Sequence, residues 1–141
     1  MSQASDINYL MRDIQVREHY LSGKLTSQYN LTESQAKTLG FIEEFPGTNQ
    51  KRIADHFGLS NASTSAIISK LESRDYVEKK PNVGSQDRSN KLYLTAKGAN
   101  ISIDIRSELS KIENITTENL TDEESANLIV LLTKVKKSYF N

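Results

Sequence analysis

Residues 50–98 read QKRIADHFGLSNASTSAIISKLESRDYVEKKPNVGSQDRSNKLYLTAKG, and the fold turns on this stretch. It holds two short helical patterns, a tight turn between them, and then a hairpin. Thr48 or Asn49 caps the first pattern, which carries Ile53, Ala54 and Phe57 inward and stops at Gly58. Ser60 or Asn61 caps the second, whose core stripe is Ile67, Ile68 and Leu71 with Thr64 at its edge. Short strand signals at Tyr76-Val77 and Leu92–Leu94 flank Pro81-Asn82-Val83-Gly84-Ser85, which has turn chemistry. This spacing is that of a helix-turn-helix followed by a β-wing, a device that sets one helix in a DNA groove.

The exposed face of the second helix supports that reading. Asn61, Ala62, Ser63, Ser65, Ala66, Ser69 and Lys70 are mostly small and polar, with no acid before Glu72. Short side chains let a helix backbone approach base edges, and its free N–H groups favour phosphate. Ordinary solvated faces carry more Glu, Lys and Arg. Lys79, Lys80 and Lys91 surround the wing as candidate phosphate neutralisers, and Arg88 at its tip suits a narrow minor groove. The candidate DNA-binding set is therefore Asn61, Ser63, Thr64, Ser65, Ser69, Lys70, Lys79, Lys80, Arg88 and Lys91.

Outward from this stretch, a helix is expected from Ile7 to about Tyr29, weakened at Gly23, and another from the Thr32/Gln35 capping box to Pro46-Gly47. The latter points Ala36, Leu39, Ile42 and Phe45 inward. After Thr95 a long helix carries Ile101, Ile105, Leu109, Ile112 and Ile115; a Thr121/Glu124 capping box opens the last. The expected class is mainly α with a small β-wing. The 141 residues form a single domain (1–141), with a winged helix-turn-helix lobe at 32–98 and helical dimerisation regions at 1–30 and 99–141. A small lobe cannot bury all of Ile7, Leu10, Met11 and Ile14 at one end and Leu128, Leu132, Val135 and Tyr139 at the other. Two-fold pairing buries both sets.

Charge is distributed unevenly within a formal total of zero. Residues 48–98 hold nine Lys/Arg against five acids, while the segments before and after are acidic. A basic middle suits phosphate at one face. With no cysteine, disulfides, thiolate zinc sites and thiol redox sensing are excluded. No run of about 18 apolar residues is present, and the first residues lack the pattern of a secretory signal, so a cytoplasmic location is expected. Walker, HExxH and dinucleotide-binding signatures are missing, which argues against an enzyme, and no cofactor or metal is expected.

The segments LTESQAKTLGFIEEFPG, RIADHFGLSNASTSAIISKLESRDYVEK and DRSNKLYLTAKG together resemble the MarR family of winged-helix transcription regulators, in order and nearly over the whole chain. The resemblance implies a dimer with interlocked first and last helices. It also implies a pseudo-palindromic operator in double-stranded DNA, repression, and release by a small anionic or phenolic ligand. By position, Ser63, Thr64 and Ser65 stand at the family's recognition-helix Thr-Val-Thr run, and Arg88 at its wing arginine. The Asp usual two residues before that arginine is here Gln86, with the acid moved to Asp87. A ligand site near the first helix would draw on His19, Tyr20, Lys24 and Phe41. The competing reading is a winged-helix protein-interaction module that does not bind DNA, motivated by the zero net charge and the Gln86-Asp87 departure.

Overall fold

Every helix begins on a side chain suited to begin it. In the computed structural model, which describes residues 2–84 and 89–141, the helices are α1 (Gln3–Gln28), α2 (Glu33–Glu44), α3 (Gln50–Phe57), α4 (Asn61–Ser73), α5 (Ala96–Asn114) and α6 (Asp122–Tyr139). Ser2, Thr32, Asn49, Ser60, Thr95 and Thr121 each accept a backbone N–H of the first turn. The expected capping boxes at Thr32/Gln35 and Thr121/Glu124 are both formed. Such a cap contributes about 1 kcal/mol. Gly58 ends α3 at φ 64°, a left-handed conformation that a Cβ disfavours.

The wing consists of β1 (Val77–Lys80) and β2 (Lys91–Leu94), paired antiparallel from Val77 opposite Leu94 to Lys80 opposite Lys91. Thr48 adds an isolated bridge to Leu92. Gly47 donates to the Leu92 carbonyl at 2.9 Å, and Leu92 donates to the Thr48 carbonyl at 2.7 Å. The loop before α3 is thereby stitched to the wing. Asn49 caps α3, so neighbouring Thr48 is free to serve the sheet.

The core lies between α2, α4, the wing and α5. Leu39, Ile42, Ile53, Ile68, Leu71 and Leu92 are fully buried, joined by Tyr76, Val77 and Ile105. Two inward expectations fail. Phe45 is 40 % exposed because it is the C-cap of α2, past the end of the stripe; its ring leans on Phe41 at 4.9 Å. Ile115 opens a 3-10 turn (Ile115–Thr117) instead of continuing α5, and it is exposed. Gly23 does not interrupt α1; a Cβ there would stand 3.2 Å from Glu33 Oε1, so the glycine eases the approach of α2.

The outer helices are different. α1 buries only Thr26, and α6 buries nothing. Ile7, Leu10 and Ile14 are exposed, Met11 half-buried; Leu128, Leu132 and Tyr139 are exposed, Val135 half-buried. Ile129, Val130 and Leu131 are exposed as well, so the middle of α6 is apolar all round, a pattern ordinary for a buried helix.

Two contacts lock α5 to the lobe. Glu43 on α2 pairs with Arg106 on α5. The Ser102 hydroxyl beside Glu43, partly opposed by burial, and then the Arg106 guanidinium hold this carboxyl below its ordinary value of 4.5. A folded value below the unfolded one means that the ionised group stabilises the fold above about pH 4.5. That contribution is lost as pH falls through the lowered value. The stability difference between the wild-type protein and Glu43→Gln is expected at pH 7 and should shrink progressively as pH is lowered below 4.5, read by urea midpoints at fixed protein concentration. The second contact is tighter: a Cβ at Gly98 would lie 2.0 Å from the Tyr76 carbonyl oxygen. Gly98→Ala is therefore expected to cost at least about 2 kcal/mol, through backbone displacement no rotamer can relieve; an unchanged urea midpoint would contradict this packing.

Candidate nucleic-acid interface

The second helix of the helix-turn-helix, α4, is half core and half surface. Thr64, Ile68 and Leu71 are buried and Ile67 is half-buried, which fixes the rotation of the helix. Asn61, Ala62, Ser63, Ser65, Ala66, Ser69 and Lys70 face outward. The start of the helix is braced. Ser60 Oγ accepts Ser63 N at 3.0 Å, and Gln50 Nε2 at the start of α3 donates to the Asn61 carbonyl at 3.1 Å. The face is thus held by the backbone and presents short polar groups, with no acid in its first turn.

Thr64 does not belong to that face. It is 0 % exposed, and its hydroxyl donates to the Ser60 carbonyl at 2.9 Å. The place it shares by position with the family's recognition run lies one step round the helix from Ser63 and Ser65, and that step leads into the core. Its stripe with Ile68 and Leu71 is the signal that favours burial.

Lys79, Lys80 and Lys91 are exposed on the wing. Lys79 Nζ lies 3.7 Å from Glu72 Oε1 at the end of α4, and Lys80 Nζ lies 3.6 Å from Glu78 Oε1 and 4.9 Å from the Tyr93 ring centre. Exposed pairs of this kind hold weakly, about 0–1 kcal/mol, so both ammoniums can exchange partners. Arg88, with Gln86 and Asp87, lies outside the described residues. Between α3, α4 and the wing runs a groove of about 450 Å³, lined in part by Gln50, Lys51, Asn61 and Lys79. Gln50 and Lys51 are additions to the expected set. Their place in the first turn of α3 was readable; that this turn faces the wing was not, because the Thr48–Leu92 bridge sets it.

The expected ligand residues do not come together. A cleft of about 620 Å³ opens between α1, α2 and α5, with Val16, Leu109 and Ile112 on its apolar side. His19 lines it, its Nδ1 3.3 Å from Glu33 Oε2. Tyr20 and Lys24 do not: one and five residues on, they point about 100° and 140° away around the helix. Tyr20 is exposed under Arg17, 5.0 Å from its ring centre. Phe41 is buried on the core side of α2 against Phe45, His56 and Phe57. The cleft also carries Glu18, Glu33 and Glu113 against Lys37 and His19, a poor balance for an organic anion.

A basic-flanked helix, a wing beside it and long outer helices with exposed apolar side chains define a winged helix-turn-helix protein. Residues 29–86 match the model of the MarR family. The chain is 27% identical over 134 residues to the HTH-type transcriptional regulator BilQ of Clostridioides difficile, covering 95% of this chain and 90% of that protein. A MarR-family regulator from Clostridium acetobutylicum superposes with a TM-score of 0.73 at 26% identity, covering 95% and 98% of the two chains. The MepR–DNA complex of Staphylococcus aureus is similar in fold, with a TM-score of 0.78, 24% identity and coverage of 98% and 99%. The segment that matches the MarR-family model runs from the end of α1 through α2, α3, α4 and β1, and the similarity to these transcriptional regulators extends over nearly the whole chain.

The burial of Thr64 has a simple check. Thr64→Lys is expected to cost several kcal/mol by forcing a charge into the core, whereas Ser65→Lys should stay within about 0.5 kcal/mol of wild type in urea unfolding. Equal tolerance at both positions would mean that α4 is rotated from the orientation described.

Proposed function

We propose that this protein is a homodimeric, sequence-specific DNA-binding repressor acting in the cytoplasm on a pseudo-palindromic operator. The observation that carries this reading is the α4 face: short, polar, braced at its start and bordered by lysines of α3 and the wing. Asn61, Ser63, Ser65 and Ser69 would meet base edges or phosphate, and Lys51, Lys70, Lys79, Lys80 and Lys91 would neutralise phosphate. Arg88 belongs to the same proposal by its sequence position on the wing. The MepR–DNA complex supports it through a relative of the same fold.

Pairing rests on the uncovered apolar surfaces of α1 and α6. Ile7, Leu10, Met11 and Ile14 with Leu128, Leu132, Val135 and Tyr139 are the residues a second copy would cover. A helix that buries none of its own residues gains little from its own lobe and much from a partner. Release by a small ligand belongs to the same proposal, with the α1–α2–α5 cleft as its seat. The three carboxylates there favour a phenolic or other non-anionic ligand over an anion.

The experiment is binding of the purified protein to fragments of its own upstream DNA across a salt series, with the oligomeric state recorded in parallel. A dimer binding one fragment tightly, with affinity falling steeply as salt rises, is the expected result. Lys51→Ala and Lys91→Ala should each flatten the salt dependence by about one phosphate contact. A protein inert toward DNA even at low salt would overturn the proposal in favour of a protein-interaction module.

A further inference from the structure

α1 leaves its last turn through Tyr29 and then Asn30, whose φ of 57° is left-handed. The carbonyls at such an end lack intrahelical donors. One side chain meets two of them. The Arg74 guanidinium donates through Nη2 to the Tyr29 carbonyl at 3.1 Å and through Nη1 to the Asn30 carbonyl. Arg74 is the C-cap residue of α4, forty-four positions further along the chain from Asn30.

The same guanidinium lies over the Tyr76 ring, 5.0 Å from its centre, with Nη2 3.3 Å from the Tyr76 hydroxyl. The backbone carbonyl of Arg74 accepts Lys97 Nζ of α5 at 3.2 Å, and Lys97 also stands 5.2 Å from the Tyr76 ring centre. A single residue at the end of α4 is thus bonded to the end of α1 and the start of α5. The guanidinium charge is held here by carbonyl dipoles and a ring face, which complements the negative end of a helix. Its planar fork meets two carbonyls and stacks at once; a lysine ammonium offers no such plane.

We propose that Arg74 is a positioning residue: it fixes the orientation of α4 against α1 and α5, and so sets DNA affinity without touching DNA. This rests on the DNA-binding reading above. Since α1 carries part of the surface assigned to pairing, the clamp also makes the angle of the DNA-binding face answer to the placement of α1. Lys70, the other base in the last turn of α4, is exposed and is assigned to phosphate.

The test uses the full chain, with Arg74→Ala, Arg74→Lys and, as a phosphate-contact control, Lys91→Ala. DNA binding is measured across a salt series well below the unfolding temperature, with the oligomeric state checked. Arg74→Ala is expected to lose about tenfold in affinity at every salt concentration with an unchanged salt slope. Arg74→Lys should recover only part of that loss. A slope flatter by about one would make Arg74 a phosphate contact and overturn the proposal. Unchanged affinity with a lowered melting temperature would overturn it too, leaving a structural role alone. Amide hydrogen exchange of the free protein decides the clamp independently of DNA. Residues 26–31 and 70–77 should exchange faster together in Arg74→Ala, and protection of 26–31 unaltered by the change would sink the idea. Failure of the wild-type protein to bind any DNA would count against the proposed function and also overturn the role of Arg74 in affinity.

Discussion

The contact between the first turn of α5 and the backbone of Tyr76 is the constraint on which the lobe depends. Tyr76 stands immediately before β1, and Leu94, two residues before α5, ends β2. Both strands of the wing therefore start and finish at this junction. Thr95 donates its N–H to the Tyr76 carbonyl at 3.1 Å and its hydroxyl to the Asp75 carbonyl at 2.6 Å, while its oxygen caps α5 through Gly98 N at 3.0 Å. A hydrogen at the α-carbon of Gly98 is all that fits against the Tyr76 carbonyl. A larger residue would push α5 away from the sheet and change the direction in which the wing leaves the lobe.

From that junction the rest follows by packing. α5 runs under α2 and supplies Ile105 to the core, and the Glu43–Arg106 pair fixes the two helices. α2 in turn covers α4, whose buried stripe decides which of its residues reach solvent. The wing is tied to the loop before α3 by the Thr48–Leu92 bridge, so α3, α4 and the wing form one surface. α6 buries nothing against this lobe, and α1 joins it mainly through its last turns, where Thr26 is buried and Arg74 meets the carbonyls that follow. Both helices carry apolar area that the lobe has no means of covering.

Much of the fold was legible because its signals are local. A capping box, a left-handed glycine at a helix end and a three- and four-residue apolar rhythm each depend on residues within a few positions, and the caps at Thr32, Ser60 and Thr121 all lie among those expected. Errors arose where position along the chain and position in space part company. Phe45 continued the rhythm of α2 but fell just past its last turn. Thr64 was claimed by two patterns, a core stripe and a family run, and the stripe prevailed because a buried threonine can satisfy its own hydroxyl on the preceding turn. The ligand quartet failed for a geometrical reason: Tyr20 and Lys24 point to other sides of α1 than His19 does, and Phe41 is buried on the core side of α2. Arg74 gave no local signal at all. Its partners lie 44 and 45 positions back, and only the folded chain brings the end of α1 to the end of α4.

The shortness of the side chains on α4 has a thermodynamic consequence. Asn, Ser and Ala have few rotatable bonds, so they lose little conformational entropy when a surface closes over them, whereas ordering a Lys or Arg costs about 1.5–2 kcal/mol. Ser63 is already tied to Ser60, with their hydroxyl oxygens 3.0 Å apart, which lowers its remaining freedom further. The long, flexible cations sit instead at the margin, on the wing and the end of the helix, where a diffuse attraction needs no fixed geometry. On the proposed DNA-binding reading, two tasks that many binding faces mix would be separated: a stiff centre that discriminates by fit, and a rim of long side chains that attracts without ordering. Hydroxyls too short to span every gap also leave room for bridging water, so a complex formed on this face would be wet at its centre.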